Sequence, residues 1–214
     1  NEEWNGMAKD LLMNDDGNLV LFGYAGTESD YGTNEDRPFL FIIDNDGNVI
    51  SNEIYNIHDF GGAVDKQIHD VIFNNDGNFT AYGYVNNLPS DLYDINSHHF
   101  IVEFDQDGNF LRYNSIPFLN DIWFQPQSIA QFNNGNYILS GEKLGFAGII
   151  VLDSDFNFIS EGLEYQDFSF DASGGSGAYH SLITHNNELI IVGWGNDPIY
   201  NNRAFAAKFN QEMN

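Results

Sequence analysis

The sequence predicts an all-β chain built from four-stranded antiparallel blades, a β-propeller, and three observations carry that reading. A Gly recurs at Gly23, Gly83, Gly141 and Gly193, at spacings of 60, 58 and 52 residues. Each repeat holds two hairpin-like segments, pairs of apolar runs around an Asx/Gly turn, as in "LLMNDDGNLVLFGY" (11–24) and "FLFIIDNDGNVI" (39–50). No segment keeps a helical period between caps, so almost no helix is expected. Four strands per repeated unit of this length is the signature of a blade.

Taken in order, blade one (7–56) places strands near 7–14, 18–25, 38–44 and 48–56. Blade two (67–116) uses 67–74, 78–85, 98–105 and 109–116, and blade three (127–165) uses 127–132, 136–143, 146–153 and 157–165. Blade four (179–214) has 179–185, 188–195 and 203–210. The flanking runs are rich in Ile, Val, Phe and Tyr, residues that suit a pleated, half-buried surface. Asn214 aligns with Asn48, Asn109 and Asn157, each of which directly precedes the fourth strand of its unit. The last blade is therefore expected to be incomplete and 1–214 to be a segment of a larger ring, with a four-blade ring as the alternative.

The DGN cores are read as turns. In Asp44-Asn45-Asp46-Gly47, Asp caps the turn through its side chain and Gly supplies positive φ, the pattern of a type I turn closed by a G1 bulge. Asn133-Asn134-Gly135-Asn136 is read as a shorter, two-residue Asn-Gly turn. Calcium is the competing reading, and the spacing disfavours it. An EF-hand loop needs Gly at position 6 and a carboxylate at position 12. Counted from Asp44, Gly47 falls at position 4 and Tyr55 at position 12; counted from Asp105, position 12 is Ile116. Asp153 comes nearest, with Glu161 and Glu164 at positions 9 and 12, but Phe158 stands where Gly is required.

Composition removes several function classes. Lys and Arg total 7 against 32 Asp and Glu, a net charge of −25, which repels phosphate backbones and anionic headgroups. No nucleic-acid partner is expected, and no apolar run reaches transmembrane length. There is no Cys, hence no disulfide and no thiolate chemistry. Aromatic residues at 15% and apolar residues at 42% argue for a folded core despite the charge.

The combination "GGAVDKQIHDVIFNNDGNFTAYGYV" (61–85) followed by "HHFIVEFDQDGNFLRY" (98–113) resembles the blade repeats of bacterial, Bacteroidota-type secreted and surface propeller proteins, many of them outer-membrane lipoproteins. Gly174 to Trp194 and then Ala204 to Asn214 fit the same frame, with Phe156 and Glu142 as departures. The resemblance implies the propeller fold and an extracellular or outer-membrane address, and it carries no catalytic residues to transfer.

Sites of chemistry are sparse. His98 and His99 alternate across a strand, and His58, His69, His180 and His185 lack ligand spacing, so no metal or other cofactor is expected. No G-x-S-x-G element is present. "SGGSG" (173–177) lacks the Lys of a phosphate cradle and is read as a blade linker. Loop asymmetry remains: one set of turns is uniformly tight, while 25–37, 86–98, 117–126, 166–178 and 195–202 are long and different in each unit. They carry Tyr31, Tyr93, Trp123, Phe124, Phe168, Phe170 and Tyr200, and binding usually resides on such loops. The expected function is noncatalytic binding or assembly at the cell surface through these aromatics, Trp123 and Phe124 foremost. The alternative is a carbohydrate-binding or glycan-handling propeller, and a propeller hydrolase or lyase comes third.

Overall fold

A computed structural model of the protein describes residues 4–14, 16–27, 37–55, 65–86, 98–116, 119, 124–144, 146–162, 176–197 and 201–210. Among the described residues fifteen strands lie in antiparallel sheets that follow chain order. The first sheet is β1 (Trp4–Met13), β2 (Leu19–Thr27), β3 (Arg37–Ile43) and β4 (Val49–Ile54). The second is β5 (Asp65–Phe73), β6 (Phe79–Asn86), β7 (His98–Phe104) and β8 (Phe110–Ser115). The third is β9 (Phe124–Gln131), β10 (Tyr137–Lys143), β11 (Phe146–Leu152) and β12 (Phe158–Gly162). The fourth is β13 (Ser176–Ile183), β14 (Leu189–Asp197) and β15 (Asn201–Phe209). These are the blades of a β-propeller, held in two compact units, Asn1–Pro117 and Phe118–Asn214.

The tight turns share one design. In each, residue one donates its N–H to the carbonyl of residue five and accepts from the N–H of residue four, as Asp44 does with Asn48 and Gly47. Gly17, Gly47, Gly77, Gly108 and Gly135 take φ between 77° and 91° at that fourth position. Phe132–Asn136 forms the same pair of bonds, so it is a full member of this class rather than a two-residue turn. Two turns depart from Gly at that position: Asn187 takes φ 60° in the Thr184–Glu188 turn, and Phe156 takes φ 65°, its buried ring packing on Tyr137 at 4.9 Å, which offsets the backbone strain. Gly47→Ala is expected to lower stability by about 1 kcal/mol in urea unfolding, although nothing lies within 4 Å of the added carbon. A Gly47→Ala protein as stable as the parent would contradict the positive-φ role.

Residue one of each turn also separates inner from outer hairpins. Between first and second strands it is neutral: Asn14, Asn74, Phe132 and Thr184, of which Asn14, Asn74 and Phe132 are buried. Between third and fourth strands it is Asp44, Asp105 and Asp153. A carboxylate is costly to bury and cheap at the rim, which fits this division. Asp44 Oδ1 accepts from the N–H of Asp46 and Asn48, and Oδ2 accepts from Asn48 Nδ2. The Asn48 side chain is the main cause holding the Asp44 carboxyl below its ordinary range. Asp153 is held down in the same way by Asn157. Partial burial pushes Asp105 up, but Asn109 outweighs it. The DGN cores turn the chain with their own side-chain oxygens, the amide of Asn14 or Asn74 in the inner hairpins and the carboxylate of Asp44 or Asp105 in the outer ones.

In each unit, neighbouring blades pack face to face. Val20, Phe22, Leu40 and Ile42 of the first blade meet Ile68, Phe79, Phe100 and Phe104 of the second, with the Phe22 and Phe79 rings edge-on at 5.3 Å. Tyr55, whose hydroxyl burial keeps protonated, donates to the Gly108 carbonyl at 2.5 Å and ties the two blades at the rim. In the second unit Ile138, Ile149 and Phe132 meet Ala178, Leu189, Ile191 and Phe209. Here the Ala147 N–H donates to Ser176 Oγ, and the Ser181 N–H to Ser128 Oγ. Ser176 and Gly177, expected in a linker, therefore belong to β13.

Candidate functional site

The first strand of every blade carries a β-bulge at one repeated place. Pairing with the second strand slips between Ala8 and Asp10, Ile68 and Asp70, Pro126 and Ser128, and Ala178 and His180. The extra residues are Lys9, His69, Gln127 and Tyr179. A bulge re-aims its extra side chain out of the alternation of the strand, and such features cluster near functional sites. Each of the four carries a hydrogen-bonding or aromatic group, and Tyr179 is 60% exposed. The same slip explains why β1, β9 and β13 begin three residues before their expected starts, since it breaks the period-2 pattern on which strand recognition rests.

The recurring Gly is the other half of this device. A carbon added to Gly83 would collide with the Gln67 carbonyl oxygen and lie 2.5 Å from Phe100 Cζ. Gly23, Gly141 and Gly193 face the carbonyls of Met7, Gln125 and Gly177 in the same way. The bulge drives a main-chain carbonyl into the second strand, and only a residue without a side chain admits it. The residue after each of these Gly stands one pair further toward the end opposite the tight turns. Its register partners are Met7 for Tyr24, Gln67 for Tyr84, Gln125 for Glu142 and Gly177 for Trp194.

In the first unit these positions form a polar-aromatic cluster. The Lys9 ammonium lies 5.4 Å from the centre of the Tyr24 ring. His69 packs against Tyr84 with ring centres 4.4 Å apart and planes tilted by 30°, and the Tyr84 hydroxyl lies 3.5 Å from Gln67 Oε1. Behind them the Tyr82 hydroxyl and His99 Nδ1 are 2.7 Å apart, both buried, which braces Tyr82 and fixes the back wall. Burial, reinforced by the charge of Lys9, pushes the His69 pKa down to about 4, so its imidazole is neutral at physiological pH. Its Nε2 is buried and has no hydrogen-bond partner among the described residues. In the second unit the Trp194 indole covers Gly177, where an added carbon would lie 2.9 Å from Nε1.

The loop aromatics proposed from the sequence fare differently. Tyr31, Tyr93, Trp123, Phe168, Phe170 and Tyr200 lie outside the described residues. Phe124 was expected on a loop; it is instead the first residue of β9 and is 1% exposed. Its ring fills the space over Gly148, where an added carbon would lie 3.0 Å from Cε2. Pro126 is a strand residue opposite Gly141 at the bulge. Of the histidines, His99 is a buried partner of Tyr82, and His69 belongs to the bulge set. The sequence does mark the bulge residues: each stands five positions before the first residue of an inner turn.

No protein-family profile and no curated protein sequence matches the chain. Solved structures do. Hadza microbial sialidase Hz136 superposes at TM-score 0.56 with 10% identity, over 92% of this chain and 43% of that one. Xylan β-1,4-xylosidase from Bacillus halodurans C-125 gives 0.57 and 13%, over 99% and 43%. A thermostable family-43 glycoside hydrolase gives 0.53 and 13%, over 95% and 72%. At these identities the likeness establishes the propeller fold. The chain spans less than half the length of the sialidase and the xylosidase.

Proposed function

We propose that the protein is a noncatalytic, carbohydrate-binding β-propeller chain in which each unit binds through its own bulge residues and the rings beside them, Tyr24 and Tyr84 in the first unit and Trp194 in the second. One observation carries the reading: every first strand lifts a polar or aromatic side chain by a bulge, beside a row rich in aromatic rings. Aromatic faces take the C–H face of a sugar ring, and neighbouring amide, imidazole and ammonium groups take its hydroxyls. The names of the solved structures of like fold, a sialidase, a xylosidase and a glycoside hydrolase, support a sugar ligand. Hydrolysis by the usual route needs a pair of carboxyl groups, and among the bulge residues and their row Glu142 is the one carboxylic acid. The blade motifs support a secreted or outer-membrane-surface protein of the Bacteroidota type, and we propose that address with the function. A protein partner docked through the loop aromatics has no support among the described residues.

Trp194→Ala and Tyr84→Ala should each weaken binding to the best ligand on a glycan array by about 2 kcal/mol, roughly thirtyfold, since aromatic anchors dominate such surfaces. Their melting transitions should stay close to that of the parent. Undiminished glycan binding by both variants would defeat the assignment of this end of the blades.

A further inference from the structure

The cluster in the first unit holds a cation, Lys9, beside its aromatic rings. Among the described lysine side chains, Lys143 pairs with Glu161 and Lys208 with Glu188 at 2.8 Å, while Lys9 has no carboxylate partner. Among the three described lysine side chains Lys9 alone stands without an acid, in a chain with 32 acids and 7 cations. Lys9 is exposed, lies over Tyr24, and is close enough to His69 to influence its protonation, so it stands at the polar-aromatic cluster itself. A lysine ammonium recognises an oxyanion as a compact point charge with three donors.

We infer that the sugar bound at this cluster carries a carboxylate, as a hexuronate or a nonulosonate does, and that Lys9 meets that carboxylate while Tyr24 and Tyr84 take the ring. The inference rests on the glycan reading above and sharpens it to a ligand class. Three features favour it over a neutral sugar. The Lys9 charge is uncompensated by any described acid. The adjoining His69 is neutral and so adds no competing positive site. The Tyr24 face under the ammonium stabilises the cation without neutralising it, leaving its charge for a ligand. The net charge of −25 does not oppose this at contact range, because at physiological salt its field is screened over about 8 Å.

The test compares matched ligands on the intact chain. A glycan array with acidic and neutral members selects the strongest acidic hit, and titration calorimetry then compares it with its own methyl ester. The acid should bind at least tenfold more tightly than the ester. Lys9→Gln should remove that difference, so that acid and ester bind the variant alike, and its melting curve should match the parent because Lys9 is exposed. Equal binding of acid and ester by the parent protein overturns the carboxylate inference and leaves the glycan reading standing. Binding to no glycan at all overturns both. Retention of the acid preference by Lys9→Gln removes Lys9 as the recognising group.

Discussion

Gly83→Ala is expected to destabilise the first unit by about 3 kcal/mol or more, several times the effect of Gly47→Ala. Both add one methyl, so the contrast isolates cause. At Gly47 the added carbon meets open space and the cost is backbone strain alone. At Gly83 it enters contact distance of the Gln67 carbonyl and lies 2.5 Å from Phe100 Cζ. Phe100 is fully buried and packs on Tyr113 with ring centres 5.7 Å apart, so it has nowhere to turn without opening the blade. The carbonyl cannot retreat without undoing the bulge that presents His69. A second effect should follow: whatever fraction of Gly83→Ala folds should bind glycan poorly, because relaxation moves His69 away from Tyr84. Urea unfolding of the two variants decides it. Stabilities within about 0.5 kcal/mol of each other would show that the bulge yields freely and that the Gly has another cause.

The same Gly shows how far the sequence could be read. Its recurrence was visible, and so was the aromatic after it in three of four repeats, because side-chain type is written directly in the letters. Turns were equally plain, since Asp, Asn and Gly at fixed offsets have only a few backbone solutions. The bulge was not visible as such. It is a property of pairing between two strands, and a single strand shows it only as a break in alternation, which truncates the strand instead of announcing a site. Lys9, His69, Gln127 and Tyr179 therefore passed as ordinary strand residues or scattered polar ones. Loop aromatics stand out in the sequence instead, because variable connections on a rigid scaffold commonly bind. Phe124 illustrates the hazard: a ring beside Trp123 and before a Pro reads as an exposed anchor, yet β9 starts there and Gly148 leaves a space that the ring fills. Burial of one aromatic among many is decided by the facing strand, which the local sequence does not name.

The protein should lose stability as pH falls from about 6.5 to about 4, and His69 should account for a separable part of that loss. Burial chiefly, and then the Lys9 charge, hold the folded-state pKa of His69 at about 4, below the ordinary value of 6.5. Within that window the unfolded chain carries the proton and the folded chain does not, so acid favours unfolding. Above 6.5 both states are neutral and the contribution to stability is fully present; below about 4 both are charged and it is gone. The full shift corresponds to about 3 kcal/mol, and solvent reaching the edge of the ring reduces the expected figure to about 2 kcal/mol. The groups around the ring agree with the direction. Lys9 on β1 brings a positive charge, Tyr82 and Tyr84 on β6 bring aromatic rings, and the Tyr82 hydroxyl is already engaged with His99 on β7. The turn carboxylates Asp44, Asp105 and Asp153 titrate below the ordinary carboxylate range, so their contribution is lost at more acid pH. His69→Gln should therefore flatten the urea midpoint between pH 6.5 and pH 4.5 while leaving the steeper acid limb in place. Parallel curves for variant and parent through that window would mean that His69 is protonated in the folded state. Lys9 would then share the cluster with a second cation below about pH 6.5, and the neutral wall assigned to His69 in the carboxylate site would hold only above that pH.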